Sequence, residues 1–229
     1  MNYDLLNLVY IHKCTQSKSF NLKSDFKSLN KAFKENIKGI ESIESFGVRM
    51  SDSSAWIMDN FFFIENESIK LLNEDYMKLN KFNCVKENNE ISPRVYSFCS
   101  FMVKNFQNVF EECEFINKLE EYESEVKLSL KEIWSVPFFL KYSILKNIYE
   151  IVEEVHRIEI QKKKAHSLFI SSIKLINHGK IKLAFRKLYA LLNNNVSLYM
   201  IEYIISLFNE NKIEDKSVKE LLNKVLKNE

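Results

Sequence analysis

Glycine and proline are nearly missing from this chain: three glycines and two prolines occur in 229 residues. A sheet protein of this length turns often and spends such residues at its turns. Their scarcity excludes a β-rich fold and points to an all-α one. Long uncharged apolar runs are also missing. The best, "IWSVPFFLKYSIL" (residues 133–145), is interrupted by Lys141 and falls short of the roughly 20 residues that span a bilayer. The opening "MNYDLLNLVYIHKC" lacks a basic segment followed by a small-residue cleavage site, so no secretion signal is expected. Cys14, Cys84, Cys99 and Cys113 form no C-x-x-C pair, and free thiols in a reducing cytoplasm are the expectation.

Catalytic signatures are absent as well. There is no glycine-rich phosphate loop, no G-x-S-x-G and no H-E-x-x-H. His12, His156, His166 and His178 are scattered, and no pair has the spacing of metal ligands. The acidic "EECE" at 111–114 reads as a solvated patch. No metal and no cofactor is expected.

What the chain does have is a core. Its composition is 46% hydrophobic and 13% aromatic, which is globular. The net charge of +2 argues against a nucleic-acid binder. The charges are unevenly placed, however. Residues 161–201 hold no acid, yet carry Lys162, Lys163, Lys164, Lys174, Lys180, Lys182, Arg186 and Lys187. Solvated helix faces explain this; a basic surface for anionic lipid or an acidic partner is the sharper alternative.

The periodicity predicts seven to nine helices in a bundle, with a short α-solenoid as the minor alternative. Residues 1–50 form an N-terminal segment with one amphipathic helix, built on Phe26, Leu29, Phe33, Ile37 and Ile40, and residues 51–229 form a helical module. "SDSS" at 51–54 offers N-caps for a helix reaching about residue 78. "KFNCVKENNEIS" reads as a polar loop, and Pro93 as the first turn of a helix to about 110. Ser129 and Glu132 have capping-box spacing. Pro137 argues for a short turn followed by a long helix over 136–163, with an apolar stripe of Phe138, Leu140, Ile144, Leu145, Ile148, Ile151, Val152, Val155 and Ile158. Further helices are expected near 165–177, 181–193, 197–210 and 215–227.

The helix at 53–72 is apolar nearly all round on a helical wheel, so it is expected to be mostly surrounded by protein. Asn60 and Glu65 fall inside its apolar arc. A buried carboxylate needs a cation, and Arg94 is the best candidate, with Asp59 and Glu132 as rival acids. Packing explains these polar residues. The alternative is a carbohydrate or partner pocket in which Trp56, Tyr96 or Trp134 serves as a stacking platform.

Three segments occur in an order that resembles one family. "WIMDNFFFIE" (56–65), "SPRVY" (92–96) and "LSLKEIWSVPFFLKYSILKNI" (128–148) are similar to the W-L-L-D-N-F-x-x-I-E, Y-P-R-V-Y and L-T-x-x-E-L-W-A-x-P segments of cyclic β-1,2-glucan synthases and their phosphorylase-like relatives. The likeness covers roughly 50–229, and departs from the family at Phe62 (usually His), Ser92 (usually Tyr) and Lys141 (often Arg). The resemblance is to the helical cytoplasmic region ahead of the catalytic machinery, and no motif of that machinery is present. It implies a non-catalytic module that binds a protein partner, such as a membrane glycosyltransferase. It would lie in the cytoplasm, peripheral to the inner face of the membrane. A separately encoded piece or remnant of a larger synthase, and an oligoglucan-binding module, are the alternatives.

Overall fold

The computed structural model describes residues 5–13, 15–44, 46, 48–79, 81–87, 90–105, 111–192 and 198–211. In chain order these form α1 (Leu5–His12), β1 (Gln16–Ser19), α2 (Leu22–Glu44), α3 (Asp52–Leu72), a 3-10 turn (Asp75–Lys78), β2 (Lys81–Glu87), β3 (Glu90–Pro93), α4 (Arg94–Asn105), α5 (Glu112–Glu125), α6 (Leu130–Asn177), α7 (Ile181–Leu192) and α8 (Leu198–Glu210). The fold is predominantly α and multi-helical, as composition requires, with eight α-helices among the described residues. The helix expected at 215–227 lies outside them.

The residues divide into two units that interleave along the chain: Met1–Glu35 with Ile57–Glu153, and Asn36–Trp56 with Glu154–Glu229. A boundary near residue 50 does not describe this division. Helices α2, α3 and α6 each supply residues to both units.

In the first unit, α2 and α6 run side by side in the same direction. Phe26 packs on Tyr142 and Phe33 stacks on Tyr149. The Tyr142 hydroxyl donates to Asp25, and that of Tyr149 donates to Asn30 at 3.3 Å. Helix α3 runs against them. Phe61 stacks on Phe33, the Ser68 and Tyr149 hydroxyls lie 2.5 Å apart, and Lys141 reaches back to Glu74 at 3.4 Å. The inward stripe of α2 is close to the expected one, with Phe26, Phe33, Ile37 and Ile40 all buried.

One carboxylate organises the start of α6. Glu132 Oε2 accepts the Ser129 backbone N–H at 2.9 Å and the Ser129 hydroxyl at 2.8 Å, which completes the capping box. Arg94, the first residue of α4, donates from Nη2 to both Glu132 oxygens at 2.8 Å and from Nε to Oε1 at 3.1 Å. The same Nη2 reaches the Lys127 carbonyl at 3.2 Å. The expected Glu65–Arg94 pair is therefore replaced by Arg94–Glu132, and Glu65 pairs with Lys34 of α2 at 2.6 Å. A helical wheel shows that a carboxylate faces inward, but not which neighbouring helix it meets.

Further expectations are corrected in this unit. "KFNCVKENNEIS" is a β-hairpin, with Glu87 paired to Glu90 and Cys84 to Pro93. Pro93 thus ends a strand rather than opening α4. Strand β1 pairs antiparallel with β2 to give the order β1-β2-β3, so residues 5–20 hold a helix and a strand. The acidic 111–125 stretch is mostly a helix, α5, anchored by buried Phe115 and Tyr122. Pro137 is accommodated inside an unbroken α6. Its ring is on the exposed face, where it meets no packed neighbour, although the Ile133 carbonyl loses its i+4 donor.

In the second unit, a buried carboxylate again holds a helix start. Glu159 Oε1 accepts the Ser51 N–H, the Ser51 and Ser54 hydroxyls and the Lys162 ammonium at 2.6–3.2 Å. Ser51 is also the local N-cap, accepting the Ser54 N–H at 3.2 Å. At Gly39 a Cβ would lie 2.0 Å from His156 Nε2, so the ring occupies the space that glycine leaves. Helix α6 ends in a Schellman motif at Gly179, which has φ 71°: Lys180 donates to the Leu175 carbonyl and Gly179 to that of Ile176. A core of Ala165, Phe169, Leu188, Met200, Ile204 and Phe208 joins α6, α7 and α8.

Removing one side of a buried ion pair leaves the other uncompensated, which costs about 3–5 kcal/mol. Arg94→Met is expected to lose that much in urea unfolding at neutral pH, and a loss under about 1 kcal/mol contradicts the role given to Arg94. Burial pushes the Glu132 carboxyl up, but the Ser129 donors and Arg94 outweigh it and hold it below its ordinary 4.5. A carboxyl lowered on folding stabilises above its unfolded value and loses that contribution as pH falls through the folded one. The difference between wild type and Arg94→Met should therefore narrow below about pH 4.5.

Candidate functional site

The sequence-derived polar anchors are mostly occupied by the fold. All the donors on Glu132 come from Arg94 and Ser129, and both of its oxygens are engaged. Glu65 is held by Lys34. Asn60 is half-buried, and Asp59 is exposed on the outer face of α3. The aromatic platform does not assemble. The Tyr96 ring packs against Phe139 and Tyr142 with the Lys146 ammonium 5.3 Å from its centroid. Trp134 lies farther round α6, away from these rings, and is 70% exposed. Trp56 is exposed in the other unit.

The chain's most buried chemistry is also structural. His12 is fully buried in α1, with Nε2 2.6 Å from Glu87 and Nδ1 2.6 Å from the Tyr122 hydroxyl. Ser97 donates to the same Glu87 oxygen at 2.6 Å. Burial pushes the Glu87 carboxyl up, but His12 and Ser97 outweigh it and hold it below its ordinary range. A His12 ring that donates from Nε2 to Glu87 and accepts the Tyr122 proton at Nδ1 fits both contacts. This chain of hydrogen bonds staples α1, β2, α4 and α5 together. None of its members lines either of two cavities beside the sheet, of about 130 and 330 Å³. Trp56 and Trp134 line neither cavity. Among the described residues no three His, Cys, Asp or Glu side chains are grouped as metal ligands, and no helix is long and apolar enough to cross a membrane.

Exposed apolar side chains are most numerous on α3 and α6, two helices whose apolar residues run too far round to be buried by one contact. Helix α3 is not surrounded by protein. Ile57, Ile64 and Leu71 face the core, while Phe62 and Phe63 are 72% and 67% exposed beside Ile69, Asn66 and Lys70. Helix α6 splits its expected single stripe into two. Phe138, Leu145 and Val152 are buried, seven residues apart. Leu130, Trp134, Pro137, Lys141, Ile144 and Ile151 are exposed, with Ile148 half-buried in the same row. This outer row alternates steps of four and three, a 3.5-residue repeat that forms one continuous seam winding slowly, about 20° per heptad, over about 30 Å of helix. The spacing was present in the sequence. Starting the helix at 136 leaves Leu130 and Trp134 outside it, and placing Ile144, Ile148 and Ile151 in one stripe with Leu145 and Val152 hides the second row.

The basic stretch survives only in part. Lys162 is buried against Glu159 at 3.1 Å and does not belong to a surface. Lys163 lies over the Phe46 ring, 3.2 Å from its centroid. Lys164, Lys174, Lys180, Lys182, Arg186 and Lys187 are exposed. On α7, Ala184 and Leu188 face inward, which turns Lys182, Arg186 and Lys187 outward.

Compared with models of protein families, with curated proteins and with solved structures, the chain matches none.

If the outer row of α6 is surface and not core, polar substitution there leaves stability nearly unchanged. Trp134→Gln and Ile144→Gln should each shift unfolding free energy by under about 0.5 kcal/mol. Leu145→Ala on the inward row should cost about 2–5 kcal/mol. Equal losses from both rows, measured by urea unfolding, would show that the outer row is part of the core.

Proposed function

We propose that this chain is a non-catalytic helical module that acts by binding another protein. The observation that carries the reading is the exposed apolar row of α6, a feature that costs solubility and is normally covered. The state of the acids supports it from the other side. Among the described residues Glu65, Glu87, Glu132 and Glu159 are each engaged by a cation or by several donors, with Glu159 Oε2 left buried without a partner, and these contacts join elements of the fold.

The resemblance supplies the class of partner, a membrane glycosyltransferase of the kind that builds β-1,2-glucan. Two of its three segments bear on one contact, since Arg94 of "SPRVY" meets Glu132 of "LSLKEIW". That fits a retained scaffold. An enzyme near an anionic membrane also suits the outward cations of α7.

A tagged chain purified from its native host is expected to bring down a membrane glycosyltransferase, identified by mass spectrometry, and Ile144→Glu/Ile151→Glu is expected to lose it. The purified chain should turn over neither UDP-glucose with divalent metal nor β-1,2-glucan with phosphate. It should bind anionic vesicles at low salt and release them as salt screens the charges. Retention of the same partner by the doubly substituted chain, or turnover by the purified protein, contradicts the proposal.

A further inference from the structure

Resting on that reading, we infer that the outer row of α6 receives a single amphipathic α-helix from the partner, with an acidic side chain facing Lys141. A 3.5-residue repeat fits one kind of neighbour. A strand repeats every two residues and would leave such a row at once, whereas a helix wound gently along α6 keeps each apolar position in contact. The row has wide ends and a polar middle: Leu130 and Trp134 near its start, Ile144, Ile148 and Ile151 toward its end, and Lys141 at its centre. Ile133 and Leu140 are half-buried along one flank and widen the seat.

Lys141 decides between a second copy and a different helix. Two copies aligned in parallel and in register place Lys141 against Lys141. Two copies related by a two-fold axis through the centre of the row, with Leu130 opposite Ile151, do the same. Like charges in the middle of a helix seam oppose pairing, and a lone lysine there selects the partner that supplies a carboxylate. The present neighbour of Lys141 is Glu74, at 3.4 Å in an exposed bridge. Such a bridge is worth at most about 1 kcal/mol, so it yields readily to a partner carboxylate in a seam that excludes water. Trp134, large and exposed, is the side chain that gains most from being covered.

The experiment uses the full chain carrying Trp56→Phe, so that Trp134 is the one indole reporter. The probes are two synthetic helical peptides of about three heptads with Leu and Ile at the four-three positions. They differ only in the residue placed against Lys141, Glu in one and Lys in the other. The Glu peptide is expected to blue-shift Trp134 emission and to bind at least about tenfold more tightly than the Lys peptide. Lys141→Glu should reverse that order, and Ile144→Glu should abolish both. Equal affinity for the two peptides, no binding by either, or an order unchanged by Lys141→Glu overturns the inference. So does a chain that sediments as a dimer and becomes a monomer on Ile144→Glu substitution, since a second copy then fills the row. If the peptides fail while the Ile144→Glu/Ile151→Glu chain still loses its host partner, the helix proposal falls and the binding function stands.

Discussion

Helix α6 carries more apolar side chains than one face can hold, and the rest of the molecule is arranged around that excess. Its inward rings, Phe138, Phe139, Tyr142 and Tyr149, receive α2, α3 and α4 in the first unit. Farther along, Glu159 holds the start of α3, and Ala165 and Phe169 receive α7 and α8 in the second. A helix of 48 residues is needed to serve both units. Once the inward side is filled, the outward row is left largely exposed, with the Lys141–Glu74 bridge beside it. The fold therefore produces the exposed surface as directly as it produces the core.

The polar residues follow the same logic. A carboxylate taken into a mainly helical core must be met by donors, and helix starts are where free N–H groups are found. Glu132 and Glu159 each stand at such a start and each collects a cation as well. Arg94 serves one and Lys162 the other. These residues have the look of a catalytic constellation in a sequence, but most of their capacity is spent on joining elements; Glu159 Oε2 alone among these oxygens is buried without a partner. The outer row of α6 is left exposed, and an exposed apolar row is the chemistry of recognition.

Much of the fold was legible from the residues. The shortage of glycine and proline pointed to helices. The Ser129–Glu132 spacing marked the start of α6, and Ser51 lay within the expected cap of α3. The hairpin was not legible, because Cys84 and Val85 are buried in succession and break the alternation that marks a strand. Two adjacent asparagines at 88–89 were the available turn signal. The apolar girth of α3 and α6 was legible, yet its meaning was misread. A wheel counts apolar positions but cannot tell whether a second neighbour exists, so Phe62 and Phe63 were expected to be surrounded by protein, whereas both are exposed. Lys34 was missed as the partner of Glu65 because it sits among the outer lysines of an amphipathic helix.

The central claim is that the outer row of α6 is open in the free chain and closed in the working complex. Hydroxyl-radical footprinting of side chains tests it most directly. The free protein should be labelled at Leu130, Trp134, Ile144 and Ile151 and spared at Phe138 and Leu145, and the complex from the native host should lose labelling at the first set alone. Labelling of the outer row that is already low in the free monomer, or unchanged in the complex, would contradict the account.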